Sequence, residues 1–151
     1  MTLIIPEISK QIYNQEVEKV LKERYADIGS SWVTLQMEWS NDIYSSFKDH
    51  EKYMIVIYLI KRTLDFYSRN FIKLNFVEFY EKDMIEIEKF NIVEISKNLK
   101  IPKESSRRKV LELEKNGCLK RSKNKNFIDR SAYEFVKPIN SIKRISRFMS
   151  S

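Results

Sequence analysis

The chain has 151 residues, room for one ordinary core or for a small reading module joined to a helical partner. Its one cysteine, Cys118, excludes an intramolecular disulfide and a four-cysteine zinc site, and makes a reducing cytoplasm the expected compartment. The formal net charge of +7 is unevenly divided: residues 1–90 hold 12 Lys/Arg against 15 Asp/Glu, a balance of −3, whereas residues 91–151 hold 16 against 6, a balance of +10. A charged partner is therefore expected to meet the C-terminal part.

The opening MTLIIPEISK has neither the basic start nor the apolar run of about 7–15 residues that marks a secretory signal. The longest apolar run, 53–60, is far short of the ~20 residues of a spanning helix. A soluble protein without a membrane partner is expected. Only two glycines and three prolines interrupt the chain, and apolar residues recur at three- and four-residue spacing, so the fold class is mainly α.

A first helix is predicted over 7–26, with Tyr13, Val17, Val20 and Leu21 on one stripe and Gly29 as its stop. Ser31 is the expected cap of a second helix carrying Trp32, Leu35, Trp39, Ile43 and Phe47. Those aromatic residues, with Tyr44, fill a core or line a small-molecule effector pocket. A third helix, 52–71, is apolar on all sides for two turns and should be buried. His50 falls in the polar stretch before it and reads as a surface residue. Asn75 with Glu78 is a capping signal for a fourth helix, in which Phe76, Tyr80, Met84 and Ile87 share a face. The acidic residues Glu81, Asp83, Glu86 and Glu88 would then form its solvated side, since no histidine or glycine-turned loop accompanies them.

Asn91 with Glu94 opens a short helix over 92–98. In Lys100-Ile101-Pro102 the apolar Ile101 can plug the space between two helices, and Pro102 has the φ of a first helical turn. The next helix is predicted over 103–117, with Ser106, Val110 and Leu113 inward and Arg108 and Glu104 on the opposite side. Gly117 ends it. Two short strands joined at Lys123-Asn124-Lys125-Asn126 follow, with Leu119 and Phe127 expected to face inward. Their tip, with Lys120, Arg121, Lys123 and Lys125, is suited to lie against phosphates. Cys118 beside it is a small core residue or a redox-sensitive thiol. After Pro138 a last helix places Ile139, Ile142, Ile145 and Phe148 on a stripe, to pack back on the chain or across a dimer.

The run EISKNLKIPKESSRRKVLELEKNGCLKR resembles the winged helix-turn-helix DNA-binding domains of bacterial regulators of the MarR and GntR families. Its anchors are Ile95, Leu99, Ile101, Arg107, Leu113, Glu114, Gly117 and Leu119, about a quarter of the chain. Lys100 replaces the usual turn glycine, Ser106 replaces a core valine or leucine, and the wing lacks its frequent glycine. The four helices predicted over 1–90 form a bundle expected to support, dimerise or sense, a part of the chain that the resemblance does not cover. A winged helix-turn-helix with a two-stranded wing over 91–130 and a C-terminal helical segment over 131–151 follow. The resemblance further implies a homodimeric transcriptional regulator that binds double-stranded DNA, with helix 103–117 in the major groove and wing 120–127 on the backbone. Lys103, Glu104, Ser105, Arg107 and Arg108 would lie near the bases, the arginines as readers, Lys103 and Ser105 as phosphate clamps. Glu104 would accept from a cytosine amine or pair with Arg108. No glycine-rich phosphate loop, Ser/His/Asp set or metal quartet occurs, so no enzyme, cofactor or metal is expected. The alternative function is a winged helix used for protein contact or RNA binding in an assembly, without operator specificity.

Overall fold

Helices dominate the computed structural model, which describes residues 13–132 and 137–150, and a small antiparallel sheet joins two of its parts. In chain order the elements are α1 (Asn14–Glu23), α2 (Tyr25–Phe47), α3 (His50–Arg69), α4 (Phe76–Tyr80) and β1 (Met84–Ile87). There follow α5 (Ile92–Leu99), α6 (Lys103–Lys115), β2 (Leu119–Arg121), β3 (Asn126–Asp129) and α7 (Pro138–Met149). Residues 7–12, predicted as the start of the first helix, lie outside the described residues.

The break between the first two helices falls at Arg24, not at Gly29. Gly29 is buried within α2, where an added Cβ would sit 3.2 Å from the Tyr25 ring, so it serves close packing and Ser31 caps nothing. Asp49, preceded by Lys48 in the left-handed region, begins α3: its carboxylate accepts from the backbone N–H groups of Glu51 and Lys52 at 3.0 and 3.2 Å. His50 is thus the exposed first residue of a helix. On the inner side of α3, Ile55, Val56, Leu59 and Ile60 are buried, each contributing roughly 1.5–3 kcal/mol of transfer free energy.

The fourth predicted helix stops after five residues. Asn75 caps it as expected, accepting from Glu78 N–H at 2.8 Å, but Met84–Ile87 form a strand. Alternation decides the matter, because Ile85 and Ile87 both point inward while Met84 and Glu86 face solvent. The sheet order is β1-β3-β2, antiparallel throughout, with Ile85 opposite Ile128 and Leu119 on the other side of Ile128. Three strands therefore replace the expected two. Ile128 and Asn126 take the inward positions of β3, leaving Phe127 half-buried.

One core runs across the change of pattern near residue 90, combining Ile55 and Leu59 of α3, Ile85 of β1, Ile95 of α5, Val110 and Leu113 of α6 and Ile128 of β3. Arg62 reinforces the junction: it donates to Lys89 O at 3.1 Å and pairs with Glu88 and Glu94 at 3.4 and 3.1 Å. The acidic residues 81–88 thus lie on the turn before β1, on β1 and on the link that follows it, not on a helix face.

The last helix docks on α2 by its charged side. Arg144, 7% exposed, lies against Glu38 and Asp42, Arg147 pairs with Glu38 at 2.9 Å, and the Phe148 ring stands 5.6 Å from Trp32. Phe148 thus leaves the predicted stripe. Ile139, Ile142, Ile145 and Met149 face solvent. Among the described residues no helix is long and apolar enough to cross a membrane.

Candidate nucleic-acid interface

The turn between α5 and α6 is built from backbone strain and two hydroxyl groups. Asn91 caps α5 by accepting from Glu94 N–H at 2.8 Å, and the helix extends one residue beyond its predicted end, to Leu99. Lys100 then takes φ +56°, the left-handed conformation that costs a non-glycine residue roughly 1–2 kcal/mol. Ile101 turns inward and is buried. Its carbonyl accepts from Ser96 Oγ at 2.6 Å and Ser106 Oγ at 3.4 Å. Ser106, fully buried where a larger apolar residue was the norm, satisfies its hydroxyl through the turn itself.

The body-facing side of α6 is fastened to α3. Ser106, Val110 and Leu113 enter the core, Lys109 Nζ donates to Asp49, and Lys52 Nζ meets Glu112 at 2.7 Å. Asp49 therefore both caps α3 and anchors α6. Burial pushes its carboxyl up, but hydrogen bonds from Lys109 and from Lys52 N–H, together with their charges, outweigh that and hold it below its ordinary value. The Lys52 ammonium likewise lowers Glu112. Gly117, with φ +80°, closes the helix.

The outward side of α6 carries Lys103, Glu104, Arg107 and Arg108, all exposed, while Ser105 is half-buried. Glu104 pairs with Arg107, three residues on, in place of the expected Arg108. Arg108 has no ion pair among the described residues. At the strands the predicted cations are mostly engaged with the body. Lys120 Nζ donates to Asp129 at 3.0 Å, and Arg121 pairs with Glu114 at 2.5 Å over the Phe90 ring. Lys125 lies 4.0 Å from Glu86. Lys123 alone of the four makes no ion pair among the described residues. The nine predicted residues thus form two groups, one opening α6 and one on the β2–β3 ribbon. Lys97, Lys100 and Lys115, exposed cations on and between the same two helices, were not singled out in the sequence; their signal was only the run of basic residues around the turn.

Of the two readings of the α2 aromatic residues, core or effector pocket, the described residues show side chains engaged with neighbours and no common cavity lined by them. Trp39 Nε1 donates to Tyr53 Oη at 2.9 Å, Phe47 packs on Tyr53, Trp32 turns to Phe148, and Tyr44 is exposed. An open cleft of about 870 Å³ lies instead between α2 and α7, walled by Glu38, Asp42, Lys143, Arg144 and Arg147. Cys118 is buried, and that burial, with Asp129 nearby, pushes its thiol up, the behaviour of a packed side chain and not of a reactive thiolate. Among the described residues no His/Cys/Asp/Glu group is arranged to hold a metal. No family model, curated protein or solved structure matches the chain.

Proposed function

We propose that the chain binds double-stranded DNA through a winged helix-turn-helix, as a transcriptional regulator of bacterial type. In this reading α5 and α6 are the helix-turn-helix, the β2–β3 ribbon is the wing, and β1 is the third strand of the sheet. The observation that carries it is the two-sidedness of α6. Its inner side is locked to α3 by apolar packing and two ion pairs, while its outer side holds Lys103, Arg107 and Arg108 in water. A rigid helix with an exposed basic face suits the major groove, where arginine pairs bidentately with guanine O6 and N7. The +10 balance of residues 91–151 supplies the phosphate attraction.

One recognition helix spans few base pairs, so the reading includes a homodimer on a split site. The exposed apolar side chains of α1 and α7 support it. Asn14–Glu23 buries no residue at all, and ten residues make a marginal helix in isolation. The test is a mobility-shift comparison of random duplex DNA, single-stranded DNA and RNA, followed by selection from a random duplex pool. Salt-sensitive duplex binding with an enriched, two-fold-repeated motif is expected. Absence of duplex binding even at low salt would overturn the reading in favour of a protein- or RNA-contact module.

A further inference from the structure

Of the three glutamates on α6, two are used inward: Glu112 meets Lys52 and Glu114 meets Arg121. Glu104 alone stands on the outer face, among Lys103, Arg107 and Arg108. On a surface that meets a polyanion an acid is repelled by every phosphate, so its presence there requires compensation. Two features supply it. Arg107 grips Glu104 Oε1 through both Nε, at 3.2 Å, and Nη2, which cancels the charge and fixes the carboxylate. The same bond lowers the Glu104 carboxyl, keeping it an acceptor at neutral pH. Among the described residues nothing bonds Glu104 Oε2 or Arg107 Nη1, so the pair offers an acceptor and a donor side by side to whatever faces the helix.

The major groove offers amine donors only from cytosine N4 and adenine N6, and glutamate is matched to the cytosine amine. Across a C·G pair that amine lies beside guanine O6, an acceptor for the free Arg107 N–H groups. We infer that Glu104, held in place by Arg107, is a specificity-determining residue that selects a C·G pair, accepting from cytosine N4 while Arg107 donates to guanine O6. Arg108, on the adjacent side of the helix and without an ion pair among the described residues, is left for a second guanine or a phosphate. The inference rests on the DNA-binding reading above and gives it a base.

The experiment is selection from a random duplex pool with wild type, Glu104→Ala and Glu104→Gln at matched salt, with thermal unfolding of each protein as the folding control. Wild type is expected to enrich C·G at one fixed position of each half-site. Glu104→Ala should lose at least about fivefold preference there, with the other positions unchanged, and bind random duplex as tightly or more tightly. Glu104→Gln should move that position toward A·T, because glutamine pairs with adenine N6 and N7. An identical C·G motif from all three proteins, or an altered position that was not C·G in wild type, overturns the inference and leaves DNA binding standing. No duplex binding by wild type overturns both.

Discussion

The body formed by α3, the sheet, α5 and α6 and the outer layer formed by α1, α2 and α7 differ in how completely they bury their apolar residues. The body gathers a core, with Ile55, Ile85, Ile95 and Ile128 all fully buried, and leaves Met84, Val93 and Leu111 at its surface. The outer layer leaves Val17, Val20, Leu21, Met37, Ile142, Ile145 and Met149 in water and joins α7 to α2 through Arg144, Glu38 and Asp42. A buried arginine between two carboxylates is costly to desolvate and is rarely chosen over apolar packing for stability alone. Its apolar alternative was present on the same helix and points away. The difference teaches that the body gathers a core of its own, whereas the outer layer leaves an apolar surface uncovered, the surface that the proposed homodimer would use.

The contrast can be broken first in the body. Leu113→Ala removes a fully buried side chain between α6 and α3 and should cost about 2–5 kcal/mol, measured by urea unfolding. The outer layer should respond differently: Ile142→Glu/Ile145→Glu is expected to weaken self-association at least about tenfold, roughly 1.4 kcal/mol, with little change in unfolding of the monomer. Light scattering across a dilution series measures the first and urea unfolding the second; unchanged association would leave the outward stripe unexplained.

Asp49→Ala strikes the link between α3 and α6 and should cost about 1–2 kcal/mol through the lost cap and ion pair. The carboxyls of Asp49 and Glu112 are held below their ordinary values, so their stabilisation is complete above the unfolded range near pH 4 and is lost as pH falls through the folded values. The variant should therefore show a shallower acid loss of melting temperature than wild type. The smallest expected effect has the opposite sign. Lys100→Gly relieves the left-handed lysine and should stabilise the body by up to about 1 kcal/mol.

Local rules explain which parts were legible in the sequence. The caps Asn75 and Asn91, the start of α6, the Lys100 turn and the inward Val110 and Leu113 all depend on residues within a turn or two, and the structure has them as expected; α6 itself stops at Lys115, two residues before the predicted Gly117. Strand β1 was missed because its partner β3 lies some forty residues away, and Met84 and Ile87 also fit a helical spacing. Gly29 misled because its reason is contact with the Tyr25 ring, which a stop signal does not distinguish. At the proposed interface the sequence marked some of the basic residues but not their ties. Only neighbours distant in sequence could reveal Lys109 on Asp49 and Lys120 on Asp129.

The central claim, that the outward face of α6 meets the bases of duplex DNA, is tested most directly by a salt titration of binding to the selected duplex. Wild type is compared with an Arg107→Ala/Arg108→Ala double variant whose thermal unfolding is unchanged. The account predicts binding weakened at least about tenfold, with the slope of log K against log salt shallower by up to about 1, the share of Arg108 if it meets a phosphate. Equal affinity and equal slope for the two folded proteins would contradict it.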